Sequence, residues 1–234
     1  MSLDTVFRQN GQSNEKIYFR NLLMNIRDAV PTLEDWKLLM NRADTSLDAS
    51  MKKSFDKVIH LFVTNGDVKC HNKHLIRGLN CPIATIIATY VGSNYSTEGD
   101  EEGLELELLI AIGARVMLTS NLWTNAGLVN GAVGVIQQIV YNPGSSSPEP
   151  PMYVLIKFDN YVGVPWDESF SQVVPITSIE RSTKTQFPLK LTWVLTIHKS
   201  QVLALDKATI NIGKQERQGM TFTTISQVKD LEGI

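Results

Sequence analysis

Apolar and polar positions recur along the chain with two different periods, and each period predicts a different kind of element. Ile17, Phe19, Leu22, Leu23 and Ile26 recur at helical spacing behind Ser13-Asn14-Glu15, which predicts an amphipathic helix ending near Val30-Pro31. Thr32 with Asp35 three residues later is a variant capping box, and it predicts a second helix with Trp36, Leu38, Leu39 and Met40 as its apolar residues. Both read as connectors without chemistry of their own. A short strand is expected at Thr5-Val6-Phe7, leading to Arg8. Val58 to Val63 (VIHLFV) is a compact β-rich run closed by Thr64-Asn65-Gly66. It predicts a buried strand, a loop and then a helix from about Asp67 to Leu79, the first half of a βα unit.

Beyond residue 90 the pattern changes. Residues 92–103 (GSNYSTEGDEEG) are polar, acidic and glycine-bearing, and read as an exposed loop. Short β-type runs follow at Arg115 to Thr119, Gly134 to Tyr141, Tyr153 to Phe158 and Val173 to Ile179, with turns at Asn130-Gly131 and Asn142-Pro143-Gly144. Such a series without a convincing helix predicts a small β-barrel. Strand patterns return at Leu191 to Ile197 and Ala208 to Ile212, and Gln218 to Val228 predicts a closing helix or strand-to-helix turn. The plan is an α/β domain interrupted by a β module and then resumed.

Composition narrows the class without deciding the function. The 234 residues are 43% hydrophobic and 20% charged, as in an ordinary globular protein. The richest apolar stretch, Leu108 to Leu118, is broken by Arg115 and falls short of the roughly 20 residues of a membrane span. The first ten residues, MSLDTVFRQN, lack the pattern of a secretory leader, and two cysteines predict a reducing compartment, cytosol or nucleus. The net charge of −2 hides a segmentation: residues 1–90 carry 12 Lys/Arg and 9 Asp/Glu, residues 91–180 carry 2 and 11, and residues 181–234 carry 8 and 4. From Arg181 to Leu205 there is no acid, whereas Arg181, Lys184, Lys190, His198 and Lys199 cluster there. A phosphate-binding surface is therefore sought first in that stretch, against the plain alternative of a solvated face.

Two familiar chemistries fail on spacing. Cys70, His71, His74 and Cys81 are all metal-ligand types, but they match no standard zinc pattern, and no metal is expected. No G-x4-G-K-[ST] phosphate cradle occurs: Gly213-Lys214 is followed by Gln215. Nor does an acidic pair close an apolar strand as a magnesium partner. This stretch alone is not expected to hydrolyse a nucleotide.

The strongest signal is Leu191 to Asp206 (LTWVLTIHKSQVLALD). A buried strand there delivers Thr196, His198, Lys199, Ser200 and Gln201 to its C-terminal end, the edge at which open α/β sheets bind ligands. The string resembles motif V of the petite-integration-frequency (PIF-type) DNA helicases, superfamily-one 5′-to-3′ relatives of RecD. The likeness runs along nearly the whole chain. Thr5 to Gln9 (TVFRQ) is similar to the family's arginine-bearing strand after motif III, and Leu61 to Asn65 (LFVTN) to the start of the second RecA-like domain. Gly113 to Thr119 (GARVMLT) and Gly127 to Gly134 (GLVNGAVG) resemble the SH3-like insert, and Gln186 to Leu191 (QFPLKL) the return from it. Gly219 to Lys229 (GMTFTTISQVK) resembles motif VI.

The resemblance implies a two-domain motor that binds ATP and Mg²⁺ in the cleft between its RecA-like domains and moves single-stranded DNA across them. It implies a division into 1–54, the tail of a first motor domain and a helical connector, 55–110 with 186–234, a second RecA-like domain, and 111–185, an SH3-like β-barrel insert. The P-loop-bearing first domain is expected to be missing, so the chain reads as the C-terminal motor half, inactive alone and acting in the nucleus or mitochondrion. Thr64, Asn65, His198, Lys199 and Ser200 are the implied DNA contacts, Gln201 and Val202 the implied nucleotide neighbours, and Arg8 the implied γ-phosphate-side arginine. Two positions depart from the family. Val202 stands where the motif V glycine is normal, and a β-branched residue tolerates close approach or positive φ poorly. Gln227 stands at the motif VI arginine finger, and loss of such a finger costs about 10³ to 10⁵ in rate, or roughly 4 to 7 kcal/mol. Two other readings remain open at this level, a non-catalytic remnant that binds single-stranded nucleic acid and a non-functional fragment.

Overall fold

A computed structural model describes residues 9, 11–56, 58–90, 104–165, 172–201, 205–213 and 219–234. In chain order, helices α1 (Asn14–Arg27), α2 (Leu33–Met40) and α3 (Ala49–Lys53) precede strand β1 (Ile59–Phe62) and helix α4 (Asn65–Arg77). Strands β2 (Ala84–Ile87), β3 (Thr89–Tyr90), β4 (Glu107–Ile110), β5 (Arg115–Leu118), β6 (Val133–Val140) and β7 (Tyr153–Phe158) follow. Then come β8 (Val173–Ile176), β9 (Ile179–Arg181), β10 (Lys184–Gln186), β11 (Leu189–Leu191), β12 (Val194–Thr196), α5 (Ile197–Ser200), β13 (Ala208–Ile210) and α6 (Met220–Ile225). The chain divides into two compact units, Met1–Cys70 with Trp193–Ile234, and His71–Thr192.

The first unit is built on a parallel sheet of order β12-β1-β13. Leu61 of the central strand is fully buried, as are Val194, Leu195 and Ala208 of its neighbours to within a few per cent. Along this central strand burial alternates, with Ile59 and Leu61 buried and His60 and Phe62 intermediate. Helix α1 starts where the Ser13 side chain accepts from Lys16 N–H, and it buries Phe19, Leu22 and Leu23 while packing against α6. Each such side chain contributes about 1.5–3 kcal/mol on burial. The expected capping box is present in α2: Asp35 N–H donates to Thr32 Oγ1 at 3.1 Å, and Thr32 N–H donates to Asp35 Oδ2 at 2.8 Å. The Thr32 N–H bond, with further donation from Asn25 and the Thr32 hydroxyl, holds the Asp35 carboxyl below the usual carboxylate range. Trp36 and Met40 were expected among the apolar positions of this helix, yet both are exposed. An eight-residue helix fixed by its cap needs less of a buried face to be ordered.

The second unit holds a five-stranded antiparallel sheet of order β11-β5-β6-β7-β8, a pair β2-β4 and a small sheet β3-β10-β9. The register sets Val116 opposite Gly134 and Ile136 opposite Ile156, and it slips at Gln137, a bulge in the longest strand. Gly134 is required there, because a Cβ would lie 2.6 Å from the Lys157 carbonyl oxygen. The four β runs read from the sequence correspond to β5, β6, β7 and β8, whereas β2 and β4 were not anticipated. A closed barrel is not found: among the described residues β11 and β8 have one strand neighbour each, leaving the sheet open. Edge strand β8 carries Pro175, which has no N–H to offer a further partner.

One predicted strand is two. Leu191 to Ile197 was read as continuous, but β11 pairs antiparallel with β5 and β12 pairs parallel with β1, and Ile197 already opens α5. At the changeover Thr192 N–H donates to the Arg115 carbonyl and the Trp193 carbonyl accepts from His60 N–H. The expected strand at Thr5-Val6-Phe7 and the acidic loop fall outside the described residues, as do Arg8 and Val202. No helix among the described residues is long and apolar enough to cross a membrane.

Candidate functional site

The parallel pairing aligns three strand ends. Phe62 is level with Thr196 and Leu61 with Ile210, so the residues after β1, β12 and β13 leave the sheet at one C-terminal edge. After β1, Thr64 Oγ1 accepts from Asp67 N–H at 3.1 Å and its hydroxyl donates to Asp67 Oδ2 at 2.6 Å, capping α4, and both Thr64 and Asn65 are exposed. After β12, Thr196 Oγ1 accepts from Lys199 N–H at 3.4 Å, turning the chain into the single helical turn of α5. His198 and Gln201 are exposed and Lys199 is half-buried. Ser200 behaves differently from its neighbours: it is fully buried and its hydroxyl donates to the Ile197 carbonyl at 2.8 Å. Of the three residues expected to meet DNA, His198 is therefore exposed, Lys199 is half-buried, and Ser200 secures the turn that carries them.

After β13, Asn211 N–H donates to the Leu61 carbonyl at 2.8 Å, Asn211 Oδ1 accepts from Gly213 N–H at 2.9 Å, and Gly213 has φ +70°. Sequence reasoning placed Asn211 inside a strand and weighed Gly213 only as part of a phosphate cradle. Their signal was an Asn and a Gly directly after an apolar strand, the combination that supports a tight turn with positive φ. The edge offers exposed hydroxyl, carboxamide and imidazole groups, with the half-buried Lys199 among them, at strand ends where open α/β sheets take ligands.

A second cluster surrounds α6, and its polar side chains turn inward. Thr223 Oγ1 donates to the Gly219 carbonyl, Thr224 Oγ1 to Met220, and both Ser226 Oγ and Gln227 Nε2 to Thr223. Gln227 is 3% exposed. Lys229, two residues beyond 227, lies 2.5 Å from Asp206 Oδ1. Gln9 is buried against the same turn, with bonds to the Ser226 and Val228 carbonyls.

No family model matches the chain. It is 31% identical over 137 residues to the ATP-dependent DNA helicase PIF1 of Danio rerio, covering 54% of this chain and 19% of that protein. Over 127 residues it is 31% identical to the human PIF1 helicase, with the same two coverages. Among solved structures, one of two coordinating Pif1 helicases unwinding forked dsDNA matches 98% of this chain and 48% of its own, with 25% identity and a TM-score of 0.67. The Candida albicans Pif1 helicase matches over 98% of this chain and 54% of its own at 21% identity, with a TM-score of 0.74. The chain is thus similar in sequence and in fold to the Pif1 DNA helicases. Its α/β fold matches Pif1 structures, and a Bacteroides Pif1 bound to ssDNA is among them, at 23% identity and a TM-score of 0.66. The chain spans about a fifth of the length of the curated Pif1 relatives and about half of the Pif1 chains of known structure. In this chain the β1/β12 edge carries the exposed Thr64, Asn65 and His198, and the turn after α6 is closed on itself. Arg8 and Val202, which the Pif1 resemblance puts at the nucleotide, lie outside the described residues.

Proposed function

We propose that these residues are the C-terminal motor half of a Pif1-type 5′-to-3′ DNA helicase, a second RecA-like domain carrying an SH3-like insert, and that they grip single-stranded DNA at the β1/β12 edge. The observation that carries this reading is the parallel register that levels Phe62 with Thr196. It sets the exposed Thr64 and Asn65 and the exposed His198 with Lys199 on adjoining strand ends, where both groups can meet one phosphate backbone. The first RecA-like domain, with the P-loop, is the partner such a motor requires, and the nucleus is the compartment that suits a DNA substrate.

ATP and Mg²⁺ belong to the complete motor. The residues described here do not fit them: the Gln227 carboxamide is engaged with the Thr223 carbonyl, and the 234 residues contain no phosphate-cradle motif. No catalytic step is assigned to this stretch. The inward turn of Gln227 favours the second reading, in which DNA binding persists without ATP-driven movement.

The test is a titration of labelled single-stranded and duplex DNA by the purified chain, followed by fluorescence anisotropy at two salt concentrations, with ATP turnover assayed in parallel. Weak, salt-sensitive binding that prefers single strands, with turnover at background, is expected. Absence of single-strand binding at low salt, or turnover that survives removal of contaminating ATPases, would contradict it.

A further inference from the structure

The contacts of Gln9 reach further than its place in the sequence suggests. Its side chain is 2% exposed, and Nε2 donates to the Ser226 carbonyl at 2.9 Å and to the Val228 carbonyl at 2.8 Å. A carboxamide nitrogen carries two hydrogens, so both are used. The acceptors lie just beyond the last residue of α6, where a helix leaves carbonyls without partners of its own. They also flank Gln227 on either side. Gln9 thus grips the backbone before and after one residue.

The grip is anchored from behind. Arg20 NH1 donates to the Gln9 carbonyl at 2.8 Å and to the Gly11 carbonyl at 2.7 Å, tying the main chain of this segment to α1. From the opposite side the Gln227 carbonyl accepts from Leu205 N–H at 3.1 Å, and Lys229 pairs with Asp206. The turn at 226–229 is therefore held by the segment that follows Arg8 and by the segment that follows motif V.

We infer that Gln9 is a positioning residue for residue 227: by bonding both flanking carbonyls it fixes the direction in which that side chain leaves the backbone and joins the segment after Arg8 to α6. In this chain the clamp holds Gln227 against the Thr223 carbonyl. An arginine at the same position would leave the same fixed turn. The functional meaning of the clamp rests on the helicase reading, in which position 227 faces the nucleotide, but the clamp itself does not.

Thiol accessibility tests the clamp without nucleotide or DNA. Cys70 and Cys81 are exposed and are first replaced by serine. Gln227→Cys is then introduced in one protein, and Ser200→Cys in another as a buried control whose own bond is to the Ile197 carbonyl. Each is labelled with a maleimide in the parent and with Gln9→Met, which keeps the side-chain length and removes both donors. The expected result is about tenfold faster labelling at 227 and an unchanged rate at 200, the size of effect that follows from losing a buried hydrogen bond. Gln9→Asn, too short to span both carbonyls, serves if Gln9→Met does not fold, and the same selective acceleration is expected. Equal acceleration at both positions would make Gln9 a general stabiliser and overturn the inference, and so would no change at 227. Failure of this test leaves the DNA-binding proposal standing, and failure of DNA binding leaves the clamp standing.

Discussion

The C-terminal edge of the parallel sheet and the turn at the end of α6 lie in the same unit and are built in opposite ways. At the edge, Thr64, Asn65, His198 and Gln201 are exposed, and the buried groups, Thr196 and Ser200, serve to shape the turn that presents them. At α6, Thr223, Thr224, Ser226 and Gln227 bond back onto their own helix, and Gln9 closes the turn from outside. Polar groups directed at solvent are available to a ligand, whereas groups already bonded internally would have to give up those bonds to meet one. Under the proposed helicase reading, this contrast would separate holding DNA from sensing nucleotide.

The largest expected effect attacks the contrast from the α6 side. Joined to an intact P-loop domain from a working relative, the chain is expected to hydrolyse ATP about 10³ to 10⁵ times more slowly than that relative, and Gln227→Arg to recover part of the loss. Val202→Gly alone should recover less, and the two together more than the sum of their separate free-energy gains, because groups acting on one cleft couple. An unmodified chimera as fast as the relative, and silenced by Lys229→Ala, would show that the lysine has replaced the finger despite its pairing with Asp206.

Next in size is the division of labour within α5. Ser200→Ala removes a buried hydroxyl bond to the Ile197 carbonyl and should lower stability by about 1 kcal/mol in a denaturant melt, with DNA affinity falling as the turn loosens. Lys199→Ala should leave stability within about 0.5 kcal/mol of the parent. A stable Ser200→Ala protein with unchanged denaturation midpoint would break the assignment of Ser200 as the support of the turn.

The smallest effect lies away from both regions, in the connector. Asp35 is held below the usual carboxylate range in the folded chain, so its contribution is present above the unfolded value of about 3.9 and is lost as pH falls through the lower folded value. Asp35→Ala is expected to cost about 0.5 kcal/mol at neutral pH, the low end for loss of a cap, and to flatten the loss of stability below about pH 4. Parallel acid melts for parent and variant would remove Asp35 as the titrating group.

How much of this was legible depended on how local the cause was. The strand at Val58 to Val63 and the Thr32–Asp35 box were readable because their patterns lie within a few residues, and each is present in the structure. The break at Thr192 was not readable, since a β-rich run does not reveal that its two halves pair with different strands. The burial of Ser200 was hidden because a serine bonded to a carbonyl three residues back looks the same in sequence as one facing solvent. The Gln9 clamp was out of reach for a different reason: its partners lie 217 and 219 residues away. The open sheet in place of the expected barrel was equally non-local, because closure depends on edge strands finding each other rather than on any one strand's pattern.

The central claim is that the sheet edge, through Lys199, holds the phosphate backbone of single-stranded DNA. The most direct measurement is the dissociation constant for a single-stranded oligonucleotide across a salt series, for the parent and for Lys199→Ala. A phosphate contact released on substitution lowers the slope of log K against log salt by about 0.7 for a single strand. The account predicts weaker binding and a slope reduced by about that amount for Lys199→Ala, and a variant that matches the parent in both affinity and slope would contradict it.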